Sequence, residues 1–181
     1  MLKISEISSK FPICHGRVTL RLFKENDIQD NYISWLNDPD VVKYSNQRFI
    51  SHTKETSLSF LNSIKNSQAI FLAITDRDTK EVFGTMTVYF SLDHNTADIG
   101  IMLGDKSYWN KGLGAEAWQL LMDFLLKKLS IRKVTGGTLS CNTGMMRIFE
   151  KVGMIPDGIR IDQELLDGKP YDIVYFAKFK K

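Results

Sequence analysis

The chain has 181 residues, of which 43% are hydrophobic and 25% charged, proportions that are ordinary for a soluble globular protein. We expect one domain over residues 1–181, because this length can bury a sizeable core. The net charge of +3 comes without a long Lys/Arg block, which argues against a nucleic-acid-binding tail. The sequence lacks both a signal-peptide core and an apolar run near the roughly 18 residues of a membrane span, so we expect a cytoplasmic protein.

Cysteine and histidine are few and scattered. Cys14 and Cys141 lie far apart in sequence, and His15, His52 and His94 have no metal-ligand spacing. We therefore expect two reduced thiols, no disulfide framework and no catalytic metal.

The first third of the chain predicts a strand followed by two helices. Residues 1–16 form a lead-in segment whose structure the pattern leaves open. Alternating apolar and polar side chains predict a strand at 17–22. Apolar faces predict helices at 27–36 and 53–66, with a loop at 44–50 between them.

Period-two patterning then predicts three strands, at 69–75, 82–90 and 97–103. Short polar turns at 76–80 and 91–95 separate these strands. Such spacing indicates an antiparallel meander, in which each strand pairs with its neighbour in sequence.

The next part of the chain predicts a crossover unit. Helices are expected at 112–129 and 143–152, with a strand at 133–140 between them. The strands at 97–103 and 133–140 should therefore be parallel neighbours. Gly136-Gly137 inside the second strand indicates a bulge or a close approach of another group to the backbone.

The chain closes with a predicted hairpin. Asp167-Gly168 is a strong turn signal between strands expected at 159–166 and 171–179. The whole order of elements indicates an α/β fold with a mixed, mostly antiparallel sheet and helices on both faces.

A glycine turn precedes the long helix. It has the sequence Ser107-Tyr-Trp-Asn-Lys-Gly-Leu-Gly-Ala-Glu-Ala117. Lys111, Gly112 and Gly114 lie where the backbone can present bare N–H groups to an anion, beside the positive end of the helix. A phosphate-bearing ligand is therefore the first to test, although glycines at such a turn more often serve only to let the backbone change direction.

Four separate stretches resemble the GNAT acyltransferases, and in particular their RimJ/RimL-type branch. They are Leu20-Arg-Leu22 followed by Asp27, Trp35-x-Asn-Asp-Pro-Asp-Val41, Ala97-Asp-Ile-Gly-Ile101 through Ala117, and Asn142 with Glu150-Lys-x-Gly-Met154. Together they span roughly residue 17 to the C-terminus. Their combined spacing is far more specific than the glycines alone.

The resemblance implies an acetyl-CoA site. The glycine turn would hold the pyrophosphate, the strand edge at 99–103 would hold the pantetheine arm, and a backbone N–H near Ile101 or Met102 would stabilise the oxyanion. Asn142 would bond the arm, although an asparagine there could also cap the following helix. The cofactor-binding residues so implied are Ile101, Met102, Leu103, Trp109, Lys111, Gly112, Leu113, Gly114, Ala115 and Asn142.

Two positions depart from the family pattern. Trp109 stands where the wider family has Arg or Gln, which fits the RimJ/RimL-type branch. Phe149 stands seven residues after Asn142, where many relatives carry a tyrosine that protonates the leaving thiolate. That role is therefore empty here or filled by another group.

Carboxylates and phenols are the candidates for proton transfer. Asp98 is the first candidate for the base that takes the amine proton, and Asp172 is the second. The alternative for Asp98 is a carboxylate that only faces solvent. Tyr108 and Tyr171 are candidate donors in place of Phe149, and the thiolate could also leave without an acid.

The acceptor amine is expected over segment 35–49 and the C-terminal hairpin, with Trp35, Tyr44, Arg48 and Tyr171 as contacts. The Arg48 guanidinium would suit an acidic or phosphate-bearing acceptor, because it pairs bidentately with oxyanions. A solvated loop is the commoner explanation for polar residues in such a segment.

The resulting hypothesis is an acetyl-CoA-dependent N-acetyltransferase that acts on a primary amine of a small molecule, such as an amino sugar or an amino-sugar nucleotide. The alternatives are N-terminal acetylation of a protein and a non-catalytic acyl-CoA-binding module. We expect no metal, nucleic-acid or membrane partner, and a monomer or a homodimer. A dinucleotide oxidoreductase is disfavoured because Ala117 replaces the third glycine of its motif.

Overall fold

The computed structural model describes residues 3–181, which form eight strands and six α-helices. In chain order they are α1 (Ile4–Ser8), β1 (Ile13–His15), β2 (Val18–Leu22), α2 (Asp30–Leu36), α3 (Pro39–Val42), α4 (Lys54–Lys65), β3 (Ala69–Asp76), β4 (Val82–Ser91), β5 (Thr96–Leu103), α5 (Leu113–Asp123), β6 (Lys133–Leu139), α6 (Thr143–Lys151), β7 (Ile155–Leu166) and β8 (Lys169–Phe179). Single 3₁₀ turns lie at Glu25–Asp27, Asn46–Phe49 and Lys106–Tyr108, and a π-helical segment, Phe124–Lys128, continues α5.

The strands form one sheet in the order β1-β2-β3-β4-β5-β6-β8-β7. Neighbours are antiparallel except for β5 and β6, which are parallel because α5 crosses over between them. The predicted meander of β3, β4 and β5, the parallel crossover and the final hairpin are therefore confirmed. The predicted fold class, a mixed and mostly antiparallel sheet with helices, is confirmed as well.

β5 and β6 separate soon after they meet. Three residue pairs join them, and the last pair is Asp98 with Thr135. β5 then continues along β4 as far as Leu103, while β6 continues along β8 as far as Leu139. A gap therefore opens in the middle of the sheet, between two strand edges.

Helices pack on both faces of the sheet, and each face has its own core. Under α5 and α6, Trp118 and Phe149 are fully buried, 1% and 0% exposed. Under α2 and α4, Tyr32 packs with Phe71 of β3, and Met102 of β5 contacts this second core. Alternation along β5 assigns Met102 and Asp98 to the same face of the sheet.

Local structure differs from the sequence-based expectation in several places. The lead-in segment contains α1 and β1, and Ile7 of α1 is buried in the first core. The segment expected as a loop at 44–50 contains a 3₁₀ turn, the helix expected at 112–129 turns to π geometry at Phe124, and the strand expected at 159 begins at Ile155. Hydrophobic patterning identifies buried faces but not the hydrogen-bond spacing of short segments.

The paired glycines of β6 mark close approaches. A Cβ built on Gly136 would lie 2.7 Å from the Trp118 ring, and one on Gly137 would lie 2.8 Å from the Tyr175 ring. β6 pairs with β8 through these residues in a continuous register. The close approach explains both glycines, and a bulge does not.

Gly136→Ala is expected to destabilise the protein by about 1–3 kcal/mol, because the added methyl overlaps Trp118 in a packed core. Urea unfolding followed by circular dichroism measures this difference. Gly158→Ala on β7 is the matched control, since no described atom lies within 4 Å of its Cβ position. Equal unfolding free energies for the two variants would contradict the explanation.

Candidate active site

A cavity of about 1020 Å³ lies where β5 and β6 separate. Its two ends come from opposite helix layers. The α5 end is lined by Trp109, Gly112, Gly114, Ala115, Asn142, Arg147 and Lys151. The α4 end is lined by Tyr32, Asp40, Tyr44, His52, Ser57, Phe60 and Phe71. Thr85, Thr87 and Tyr89 of β4 and residues 98–103 of β5 line the region between them.

The N-terminus of α5 opens into this cavity, and no side chain in residues 3–181 caps it. Gly112 adopts φ 79°, a left-handed conformation that favours glycine. The N–H groups of Leu113, Gly114 and Ala115 have no acceptor within the helix. The Lys151 Nζ lies 3.7 Å from the Cβ position of Gly112. Free N–H groups, the helix dipole and a lysine together fit a diphosphate such as that of coenzyme A.

Lys111 and Leu113 can contribute to such a site through their backbone alone. The Lys111 side chain is exposed, with Nζ 5.8 Å from the centre of the Tyr108 ring. The Leu113 side chain is 2% exposed and belongs to the first core. This arrangement is compatible with the predicted backbone cradle.

Trp109 fixes the glycine turn to the end of β5. Its indole Nε1 donates a hydrogen bond of 2.8 Å to the carbonyl oxygen of Leu103, and the ring lines the cavity. Ile101, Met102 and Leu103 line the cavity beside it. Backbone groups alternate in direction along an antiparallel strand, so those of Met102 point toward β4, where its carbonyl oxygen lies beside Gly84. Since the Leu103 carbonyl is already paired, the backbone groups of Ile101 are the better candidates for contact with a ligand.

Asn142 caps α6. Its Oδ1 accepts from the Met145 N–H at 3.2 Å, and its Nδ2 donates to the Thr138 hydroxyl at 3.0 Å. The capping alternative is therefore present in the structure. Asn142 also lines the cavity, and the second N–H of its amide group could donate a hydrogen bond to a ligand.

Asp98 lies at the point where β5 and β6 separate. The Thr135 hydroxyl donates a 2.6 Å hydrogen bond to Asp98 Oδ2. Asp98 is exposed at the cavity wall, and partial desolvation by the surrounding protein raises the pKa of its carboxyl group, while the Thr135 hydrogen bond acts in the opposite direction. Tyr89 is the cross-strand partner of Asp98, and burial together with the Asp98 charge raises the pKa of its phenol.

Tyr108, a predicted proton donor, and Phe149, which stands at the family's donor position, both lie outside the cavity lining. The Tyr108 ring stacks on Phe83 with centroids 4.4 Å apart, and its hydroxyl donates to Glu81 Oε2 at 3.4 Å. Phe149 is packed in the core between Trp118 and Phe176. Neither residue belongs to the cavity lining in the described chain, so the structure does not bring the predicted donor Tyr108 to Asp98.

The hairpin candidates Asp172 and Tyr171 are also separate from the cavity. Asp172 Oδ1 accepts from the Asp162 N–H at 2.9 Å, and the Asp172 carbonyl accepts from the Ser140 N–H at 2.9 Å. Tyr171 pairs with Glu164 across the hairpin. Asp172 therefore has a structural role, since its carboxylate holds a left-handed residue, Asp162 at φ 49°, within β7.

Of the candidate acceptor contacts, Tyr44 lines the cavity and two others have structural partners. The Trp35 ring lies over Gly104, where an added Cβ would be 2.2 Å away from it. Arg48 donates to the carbonyl oxygens of Ser45 and Leu165 at 2.8 and 3.0 Å. These contacts, and a 3.6 Å approach to Glu164, attach the 3₁₀ turn to β7 and occupy the guanidinium.

Sequence reasoning missed several polar residues of the cavity. Thr85, Thr87 and Tyr89 alternate along β4 on the face that also carries Asp98, and the buried Ser57 of α4 is also among the lining residues. The polar alternation in β4 was the available signal. Ser57 gave no signal, because only the packing of α4 on the sheet distinguishes its position from that of an exposed serine.

Within residues 3–181, no group of three His, Cys, Asp or Glu side chains is placed to hold a metal ion. The described helices are also each too short or too polar to cross a membrane.

Comparisons with known proteins agree on one family. A family model described as an acetyltransferase (GNAT) domain matches residues 17–155. The chain is 26% identical over 169 residues to the uncharacterized N-acetyltransferase p20 of Bacillus licheniformis, covering 91% of this chain and 94% of that protein.

Solved structures share the fold. Spermidine N-acetyltransferase from Vibrio cholerae, in complex with CoA and spermine, has a TM-score of 0.80 at 15% identity, covering 92% of this chain and 97% of that one. The RimL ribosomal-protein α-N-acetyltransferase, in complex with coenzyme A, also has a TM-score of 0.80, at 16% identity with 91% and 95% covered.

Gly112→Val is expected to weaken coenzyme A binding by about tenfold or more, because a branched side chain strains a left-handed residue and obstructs the N–H groups of α5. Calorimetric titration with coenzyme A measures the effect. Gly168→Val is the matched control, since Gly168 has φ 75° in the hairpin turn, away from the cavity. Equal affinities for both variants would place the diphosphate elsewhere.

Proposed function

Since the chain belongs to the GNAT acetyltransferase family, and is thus an acyltransferase, we propose that it transfers an acetyl group from acetyl-CoA to the primary amine of a small molecule. One observation carries this proposal. A single cavity joins the uncapped N-terminus of α5, the free edge of β5 and the carboxylate of Asp98. Along the cavity, these features provide in turn a site for an anion, a strand edge for an extended arm and a base.

The α5 end would hold the coenzyme. The backbone N–H groups at the start of α5 would bind its diphosphate, with Lys151 nearby, and Trp109 would cover the turn. The edge of β5 at Ile99 and Ile101, whose backbone groups point away from β4, would hold the extended arm in the manner of an added strand. Acetyl-CoA supplies an acetyl group on a thioester, whose sulfur is the leaving group.

Asp98 would act as the base. It would accept the proton of the amine, directly or through a water, and its raised pKa brings it closer to the pH at which general bases work well. Thr135 would orient the carboxylate by its hydrogen bond. Of the two predicted oxyanion donors, the N–H of Ile101 points toward the gap and would face the oxyanion that develops on the acyl carbon, while the N–H of Met102 points toward β4.

Tyr89 is a better candidate for the proton donor than Tyr108 or Tyr171. It lines the cavity and stands beside Asp98, while the other two phenols are outside the lining of the described cavity. Departure of the thiolate without an acid remains the alternative, because a thiolate is a weaker base than an alkylamine and leaves more readily.

A small molecule fits the acceptor side better than a peptide. Residues of α2, α3, the 3₁₀ turn and α4 enclose the α4 end, and Arg48 braces this enclosure against β7. An amino sugar remains a suitable acceptor. An amino-sugar nucleotide is less well supported, because the Arg48 guanidinium that was expected to bind its phosphate is already paired within the protein. Trp109 and the Asn-Asp-Pro exit of α2 support the RimJ/RimL-type branch.

Asp98→Asn is expected to lower kcat/KM for acetyl transfer by about 10²- to 10⁴-fold, because the amide cannot accept the amine proton. Coenzyme A affinity, measured by calorimetry, should be unchanged. Asp162→Asn, on the exposed hairpin, is the matched control. Normal turnover by Asp98→Asn would show that Asp98 is not the base, without contradicting the proposed coenzyme site.

Thr135→Val provides an independent test through the pH profile. The base must be deprotonated, so kcat/KM rises with pH through the pKa of Asp98. Thr135 lowers this pKa by its hydrogen bond, and its removal should therefore raise the pKa further and move the rising limb to higher pH. The pKa of the free amine is the same for both enzymes, so an unshifted limb would mean that Asp98 does not set it.

A further inference from the structure

We infer that the acceptor amine carries an oxyanion, either a carboxylate or a phosphate, and that Arg132 binds this group in a second cavity beside Asp98. This inference rests on the proposed acetyl transfer and specifies its substrate class. It follows from a cavity that adjoins the candidate base and from one guanidinium group whose orientation the backbone fixes.

The second cavity has a volume of about 410 Å³ and adjoins the first one. Tyr89 and Asp98 line both cavities. The other polar side chains of its lining are those of Ser91, His94, Thr96, Arg132, Lys133 and Thr135. An acceptor whose amine lies at the Asp98 carboxylate can therefore extend toward the α4 end and also into the second cavity.

Strand register gives the order of groups along the second cavity. Asp98 of β5 pairs with Thr135 of β6, and Thr96 with Lys133 is the next pair on the same face of the sheet. Successive pairs on one face are about 7 Å apart. Arg132 comes directly before the second pair, so an oxyanion that it binds would lie several bonds from an amine at Asp98.

Backbone contacts hold Arg132 in place. Its Nε donates a hydrogen bond of 2.8 Å to the carbonyl oxygen of His94. Its backbone N–H donates to the Asn95 carbonyl at 3.0 Å, and its own carbonyl accepts from the Lys180 N–H at 2.9 Å. A guanidinium group fixed in this way loses less freedom when it binds an anion than a mobile side chain does.

The charges around the second cavity leave Arg132 available to an anion. Lys133 pairs with Asp157 at 2.7 Å, whereas no carboxylate within residues 3–181 forms an ion pair with Arg132. The acidic side chain of the described lining is that of Asp98. The cavity thus has a carboxylate at one end and a guanidinium group at the other.

This division of charge complements an acceptor with one amino group and one oxyanion. The two terminal nitrogens of Arg132 can donate together to a carboxylate or a phosphate, because the guanidinium group is planar and forked. A polyamine that extended into the second cavity would bring a further cation against Arg132 instead. The structure therefore favours an anionic acceptor over a polycationic one.

The test uses the purified protein with acetyl-CoA and pairs of amines that differ in an oxyanion. 6-Aminohexanoate is compared with hexylamine, and glucosamine 6-phosphate with glucosamine, so that the two pairs distinguish a carboxylate from a phosphate. Spermidine tests the polycation. We expect at least one oxyanion-bearing amine to exceed its partner in kcat/KM by about tenfold or more, the effect of a charge-assisted hydrogen bond, and to exceed spermidine.

Arg132→Gln should abolish that preference, mainly through KM, and leave kcat/KM for the amine without an oxyanion unchanged. Arg132→Lys, which keeps the charge but not the fork, should retain part of it. Arg77→Gln is the matched control and should retain it fully. Arg77 is likewise exposed and donates to one carbonyl oxygen, that of Gly16, but it lies outside both described linings. An unchanged preference in Arg132→Gln would overturn the inference.

A binding measurement separates the inference from the function beneath it. Calorimetric titration of the preferred oxyanion-bearing amine into the protein saturated with coenzyme A should give an affinity about tenfold lower for Arg132→Gln than for Arg77→Gln. Faster acetylation of hexylamine, glucosamine or spermidine than of both oxyanion-bearing amines would overturn the substrate class while confirming acetyl transfer. Failure to bind acetyl-CoA at all would overturn the proposed function itself.

Discussion

The separation of β5 from β6 is the constraint on which the candidate site depends. Backbone N–H and C=O groups need partners, and a parallel pair that ends at Asp98 and Thr135 leaves the rest of two strand edges open. Trp109 satisfies the last of these groups on β5 by bonding the Leu103 carbonyl. The groups between them face a cavity wide enough for an extended ligand, so strand pairing itself creates the binding edge.

Aromatic side chains pack β6 against the helices on the first-core face of the sheet. Trp118 of α5 lies against Gly136, where any side chain would overlap it, and Phe149 of α6 lies edge-on to Trp118 and stacks on Phe176. These contacts fix the position of β6 relative to α5 and α6. The phenylalanine at position 149 thus has a packing role, and the thiolate would leave either without an acid or with a proton from another group.

The sequence allowed the order of elements, the sheet type and the glycine turn to be predicted, because periodicity and turn chemistry are local. The hydrogen-bond and packing partners of individual side chains were harder to predict. Arg48 looked free in sequence, yet it bonds the Leu165 carbonyl 117 residues away. Tyr108 lies beside the glycine turn in sequence but stacks on Phe83 in space. Such partners depend on how distant segments meet, and one sequence does not contain that geometry.

The same reasoning explains why the two ends of the cavity carry different chemistry. At the α5 end, helix N-termini and α6 side chains give a positive field, which suits the diphosphate of a coenzyme. At the α4 end, Lys106 neutralises Asp40 and Arg48 is turned toward β7, so hydroxyls and rings remain. The positive field would therefore orient the diphosphate of the coenzyme toward the α5 end before contact and leave the α4 end to the acceptor. Asp98, at the junction, is where the two would meet.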